Sequence, residues 1–309
     1  MREWLLSLVP SGIEIMLVVQ QWRTPLWDAL MNVITNLGSE EFFIVLIPLL
    51  FWCVDKSLVV GLSYAYLTIV YVNTTLKTIF AIPRPYTAAF QDWNSTLVPL
   101  RHEETFSWPS GHAQGAVGVY GYLALVLKKA WFWVLGGGIV LLIAFSRIYL
   151  GVHTPFDVVS GLFFGGLLLA IWVWVEPRGA SRLQRWAFAW QLGLAVAVPF
   201  LLLLLVPSKE SATSMGALLG LGIGALLERR YIRFDVKGVW WKRVLRGIVG
   251  LVILLSIYLG LRALSPDIDI HWLMITLRFL RYAFLGVLMM AALPQLFLWM
   301  RLADREEKA

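Results

Sequence analysis

Apolar residues in this chain come in long blocks, each closed by a few polar or helix-breaking positions. Blocks at about 39–52, 58–80, 107–127, 131–145, 155–176, 186–206, 212–227, 244–264 and 272–300 approach the roughly 20 residues that a helix needs to cross about 30 Å of hydrocarbon. Their boundaries carry helix signals. Ser39-Glu40-Glu41 opens the first and Asp55-Lys56 follows it; Pro83 stops the second, and Thr154-Pro155 reads as an N-cap with Pro at the first helical position. The segment 1–38 differs. Residues 4–20 are apolar but interrupted by Pro10, Gly12 and Glu14, and after Thr24-Pro25 the residues Leu26, Leu30, Val33, Ile34 and Leu37 recur at helical spacing. We read 1–38 as two interfacial amphipathic helices, with a full span by the first as the alternative. The expected fold is therefore all-α: a polytopic transmembrane bundle of about nine spans, or ten, with segments at 1–38, 39–176 and 177–309.

Composition agrees. The chain is 59% hydrophobic and 15% charged, with mean hydropathy +0.74, which excludes an ordinary soluble domain. The net charge of +7 resides in short loops between spans rather than in a basic face with stacking aromatics, so anionic membrane lipids are the expected partners and nucleic acid is not. The single Cys53 rules out an internal disulfide, and no cleaved signal peptide is read at the N-terminus. Lys56, Lys128, Lys129, Arg178, Arg182 and Arg185, followed by the basic stretch 229–246, fall on one side of the zigzag. The other side holds Lys77, Arg84, Arg101 and Arg147, with Glu103, Glu104, Asp267 and Asp269. By the positive-inside rule the first side is cytoplasmic. Gly216, Gly220 and Gly224 leave one helix face without side chains, suited to close packing.

Candidate chemistry gathers on the second side. Ionisable residues near membrane depth are costly and suggest function. Within 146–157, His153 and Asp157 lie four apart, so a helix begun at Thr154 sets the carboxylate near the imidazole, which can then act as a nucleophile or base. Lys77, Arg84 and Arg147 supply a point charge and two planar forks for the oxygens of an anion. Ser110 offers a hydroxyl, and the amides of Gly111 and His112 open a helix, where anions bind. The loop group Arg101, His102, Glu103 and Glu104 reads as a solvated face, with shaping of the substrate mouth as the alternative. Tyr86, Phe90 and Trp93 read equally as the lining of a lipid approach or as interfacial anchors.

Three of these stretches, Lys77 to Pro85, Pro109 to His112 and Ser146 to Asp157, reproduce K-x6-R-P, P-S-G-H and S-R-x5-H-x3-D in order. They resemble the signature of the PAP2 phosphatase superfamily of integral membrane lipid phosphatases. The resemblance implies that His153 is a nucleophile forming a phosphohistidine, that Asp157 holds its tautomer, and that His112 protonates the leaving oxygen. It implies that Lys77, Arg84, Ser110, Gly111 and Arg147 bind phosphate, with no metal or other cofactor. The substrate class it implies is a phosphorylated lipid, an isoprenoid diphosphate or a phospholipid; the charge count separately sets the expected site on the extracytoplasmic side of the plasma membrane. Phosphotransfer to another lipid would use the same residues. Haloperoxidases that bind vanadate share the signature but are soluble, and a lipid transporter carrying this module would show broken or polar helices among the last spans.

Overall fold

The computed structural model describes residues 1–264 and 270–306. Asp267 and Asp269, counted above on the site's side of the membrane, lie outside the described residues. Apart from one isolated bridge between Phe234 and Arg305, regular structure among the described residues is helical. The longer helices are α1 (Arg2–Gln20), α2 (Pro25–Asn36), α3 (Glu40–Cys53) and α4 (Lys56–Phe80). After the short α5 (Gln91–Asn94), α6 (Gly111–Ala116) runs through a π-turn at Val117–Gly121 into α7 (Tyr122–Leu127). Then come α8 (Ala130–Tyr149), α9 (Pro155–Leu183), α10 (Phe188–Leu205), α11 (Lys209–Leu227), α12 (Trp240–Ala263), α13 (His271–Val287) and α14 (Leu293–Trp299).

Among the described residues, eight helices are long and apolar enough to cross a membrane, or up to nine if the bent pair α2–α3, which turns by 48°, counts as one. The tally differs from the sequence reading at three places. Helix α3 has only 14 residues. The run from α6 to α7 is a continuous rod of 6, 5 and 6 residues, about 25 Å long at ~1.5 Å per residue, slightly less than a full crossing. Helix α1, in contrast, continues unbroken through Pro10 and qualifies as a span by length and composition, which the interfacial reading did not give it.

The chain divides into two compact units, whose boundaries fall inside α3, α4 and α9. One comprises Met1–Phe43 and Val72–Trp174, so the N-terminal helices belong with the residues singled out for chemistry rather than to a separate segment. Here α1 reaches the turn before α9: a Cβ on Gly12 would lie 2.7 Å from Thr154 Cβ. Gln20, near the end of α1, donates to Tyr149 O (3.0 Å) and Val98 O (2.8 Å). Helix α9 passes against the start of α6 where a side chain has no room, since a Cβ on Gly161 would meet Ser110 O at 2.6 Å.

The other unit comprises Ile44–Tyr71 and Val175–Ala309. The glycine face of α11 packs on α13 backbone to backbone: Cβ atoms on Gly216 and Gly220 would stand 2.3 and 2.0 Å from Phe279 O and Ala283 O. Trp52 donates to Met289 O (2.9 Å) and stands edge-on to Phe297. Lys56, read from sequence as a loop cation, is paired with Glu228 (2.9 Å) and Glu306 (2.8 Å) and also donates to Phe234 O.

Candidate active site

Four helix ends in the first unit supply the site. Lys77 is on the last turn of α4, and Ala81, at φ +46°, turns the chain out of that helix into the loop 81–110. Arg147 is on the last turn of α8, and Asp157 on the first turn of α9. Thr154 caps α9 as its Thr-Pro sequence implies: its hydroxyl accepts from Asp157 N (3.3 Å), while Asp157 Oδ2 accepts from Thr154 N (2.8 Å). This reciprocal cap fixes the Asp157 carboxylate directly beneath His153. Ser110 N donates to Asp157 O (3.0 Å), which ties the start of α6 to the same turn.

His153 is 1% exposed. One ring nitrogen, Nε2, lies 2.8 Å from Arg84 Nη1. A guanidinium has donors only, so that nitrogen carries the lone pair and Nδ1 carries the proton. Nδ1 faces Asp157 Oδ2 at 3.6 Å, with the Ser107 hydroxyl 3.5 Å away and donating to the same carboxylate oxygen at 2.7 Å. Burial, followed by the charges of Arg84, Arg147, Lys77 and His112, holds the imidazole well below its ordinary pKa and therefore neutral.

The cations converge on this ring. Arg84 is anchored by Thr105 O (2.7 Å), Thr105 Oγ1 (3.1 Å) and Val152 O (2.9 Å). Lys77 shares Thr105 Oγ1 (3.0 Å) and donates to Phe106 O (2.7 Å). Arg147, fully buried, donates to Thr35 Oγ1 (2.9 Å) and pairs with Glu103, whose other oxygen lies 4.0 Å from Arg84 Nη2. Burial opposes the charge on Glu103, but Arg147, Arg84 and Lys77 together hold its carboxyl below the usual range. Two buried donors of the cluster, Ser110 Oγ and Arg147 Nε, have no hydrogen-bond partner. Buried donors of this kind are costly to leave unpaired, so a concentration of them beside fixed cations suits an anion. His112 is the second residue of α6 and half-buried, and its charge bears on His153.

The structure thus brings together the residues singled out in sequence and adds others. Glu103 is not on a solvated face: it joins two of the cations, and Arg101 is anchored to Asn32 and Asn36 on α2. Phe90 is buried with Trp108, Ile82 and the α1 residues Leu5, Val9 and Ile13, so it does not line a lipid approach, and the Tyr86 hydroxyl binds the Glu103 backbone. Thr35, Asn73, Thr105 and Ser107 had no place in the site as read from sequence. Asn73 donates to Pro109 O (3.2 Å) and Gln114 Oε1 (2.8 Å), seating the loop that precedes α6. Its polar character four residues before Lys77, inside an apolar helix, was the available signal. Among the described residues, no three His, Cys, Asp or Glu side chains group as metal ligands.

Comparison with known proteins finds related chains. Residues 58–180 match the PAP2 superfamily and residues 212–305 match the PAP2 superfamily phosphatase transmembrane extension. The chain is 27% identical over 226 residues to lipid phosphate phosphatase delta of Arabidopsis thaliana, covering 69% of this chain and 53% of that protein, so it spans about half the length of that relative. It is 30% identical over 159 residues to phosphatidylglycerophosphatase B of Bacillus subtilis, covering 47% of this chain and 73% of that protein. A crystal structure of a transmembrane PAP2-type phosphatidylglycerolphosphate phosphatase from Bacillus subtilis aligns with TM-score 0.46 and 25% identity, over 58% of this chain and 95% of that one. With both matched segments in order and the three motif stretches meeting at one buried site, the chain belongs to the PAP2 phosphatase superfamily, and it carries the family's transmembrane extension.

Proposed function

We propose that this protein is a lipid phosphatase that removes a phosphoryl group from a phosphorylated lipid through a phosphohistidine on His153. The observation that carries the reading is the juxtaposition of a neutral, lone-pair nitrogen on His153 with Arg84, and with Lys77 and Arg147 around it. Phosphoryl transfer spreads negative charge over three equatorial oxygens, and fixed cations in a water-poor site stabilise that charge. His153 Nε2 attacks phosphorus while its Nδ1–H is held toward Asp157, the P–O bond to the lipid breaks, and His112 gives the leaving oxygen its proton. Water then attacks the phosphohistidine, its proton passing to His112, and the P–N bond breaks to return His153 and release inorganic phosphate. Ser110 Oγ and Arg147 Nε are the donors available to phosphoryl oxygens.

Apolar helices surround this chemistry, and the relatives named as lipid phosphate and phosphatidylglycerophosphate phosphatases support a lipid substrate. Lys128 and Lys129 lie at the opposite end of α8 from Arg147, and Arg178 and Arg182 lie at the opposite end of α9 from Asp157. Under the positive-inside rule this supports a site on the extracytoplasmic face of the plasma membrane. The test is phosphate release by purified protein in EDTA from isoprenoid diphosphates, phosphatidic acid and phosphatidylglycerophosphate. At least one should be turned over by the wild type and none by His153→Ala. Turnover by His153→Ala, or activity that requires an added divalent ion, would overturn the reading.

A further inference from the structure

We propose that Glu103 is the pocket's own anion: its carboxylate occupies the Arg147 fork that a phosphoryl oxygen must take, and substrate binds by displacing it. This inference rests on the phosphate-site reading above. Carboxylate and phosphate present the same pair of acceptors to a guanidinium, so one fork serves one of them at a time. Of the donors on Arg147, one bonds Thr35, one pairs with Glu103, and Nε is buried without an acceptor. The second Glu103 oxygen faces Arg84, the residue that also holds His153. Glu103 therefore stands between the two forks that the chemistry requires.

The same residue is built to leave. Its side chain is 24% exposed, whereas those of Arg147 and Arg84 are 0% and 4% exposed, so the carboxylate reaches in from the rim. What fixes the segment is bonding that does not involve the Glu103 carboxylate. The Tyr86 hydroxyl accepts from Glu103 N (2.9 Å) and donates to Glu103 O (3.2 Å), Arg101 is anchored on α2, and Thr105 is held by Lys77 and Arg84. The carboxylate can swing toward water while these bonds stay in place. When inorganic phosphate forms, the return of Glu103 to Arg147 expels it. Glu103 thus lowers the affinity of the pocket for every phosphate group and speeds the release of product.

A prop for Arg147 and a competitor for it predict opposite signs. If Glu103 only positions Arg147, removing its charge weakens phosphate binding. If it competes, binding tightens. The experiment measures binding of inorganic phosphate to the purified full-length protein by calorimetry in detergent, with orthovanadate inhibition and the split between kcat and KM alongside, for wild type, Glu103→Gln, Glu103→Asp and Arg147→Gln. Glu103→Gln should bind phosphate about tenfold tighter, one charge-assisted contact's worth, with lower KM and lower kcat. Glu103→Asp, one methylene short of Arg147, should fall between it and wild type, and this variant decides the matter if the glutamine protein fails to fold. Phosphate binding that depends on Arg147 but is unchanged or weaker in the Glu103 variants would overturn the inference alone. Phosphate binding indifferent to Arg147→Gln, or none in any variant, would overturn the phosphate site itself.

Discussion

Replacing Asp157 with Asn isolates the electrostatic part of the His153 arrangement. The carboxylate oxygen accepts from Thr154 N and the Ser107 hydroxyl and lies 3.6 Å from His153 Nδ1. An amide oxygen in its place keeps both accepted bonds and hence the cap on α9. What disappears is a full negative charge beside a ring that becomes cationic as its other nitrogen bonds phosphorus. At 3.6 Å and an effective dielectric near 20, that attraction is about 4 kcal/mol, equal to about a thousandfold in rate. The expected outcome is a loss of about a thousandfold in kcat with the unfolding temperature in detergent nearly unchanged. Phosphate release from a soluble short-chain substrate gives the rate, and thermal unfolding read by tryptophan emission gives the stability. A variant within tenfold of wild type would show that Asp157 serves the helix cap and not the imidazole. A large fall in unfolding temperature alongside lost activity would show that the cap itself needs the charge.

Three further outcomes are expected. His112→Ala should slow substrates with poor leaving groups far more than aryl phosphates, whose leaving oxygen needs no proton; equal losses on both would remove the acid role. Because burial and the neighbouring charges of Arg84, Arg147 and Lys77 depress His153, its ring should remain neutral at pH 6.5, where an unperturbed imidazole is half protonated, and take up a proton only at lower pH. Nitrogen chemical shifts of labelled histidine, assigned with His153→Ala, report this, and a midpoint at or above 6.5 would refute it. In a Cys53→Ala background, a cysteine at exposed Glu104 should react with an impermeant maleimide from outside intact cells, and one at exposed Lys237 only after permeabilisation. The reverse pattern would place the site in the cytoplasm.

Legibility in the sequence followed the kind of constraint involved. Helices α8 to α12 could be read because apolar length is a local property of the chain, and Thr154-Pro155 marked the start of α9 because caps depend on adjacent residues. The eight motif residues could be read because each is a costly polar or special residue at fixed spacing. Thr35, Thr105 and Ser107 could not. Each is a small hydroxyl residue in ordinary surroundings, and only the fold reveals that Arg147, Lys77 or Asp157 lies opposite. Glu103 was misread for a related reason: beside Arg101, His102 and Glu104 it has the composition of a wet loop, and its true partner lies 44 positions away. Pro10 misled in the other direction. In water it argues for a break, but in an apolar medium the remaining backbone bonds of a helix have no substitute, so one missing donor is tolerated.

The contact of Gly12 with Thr154 has a consequence for how the protein is made. Helix α1 is synthesised long before the turn it seats, and at ~5–20 residues per second the roughly 140 intervening residues occupy the ribosome for about 7 to 30 seconds. During that interval α1 can already pack on Ile82, Phe90 and Trp108, but the place that Thr154 takes beside Gly12 is still empty of protein. Among the described residues, three of the eight membrane-length helices are made before the turn that carries His153, and that turn is completed against a helix already waiting for it.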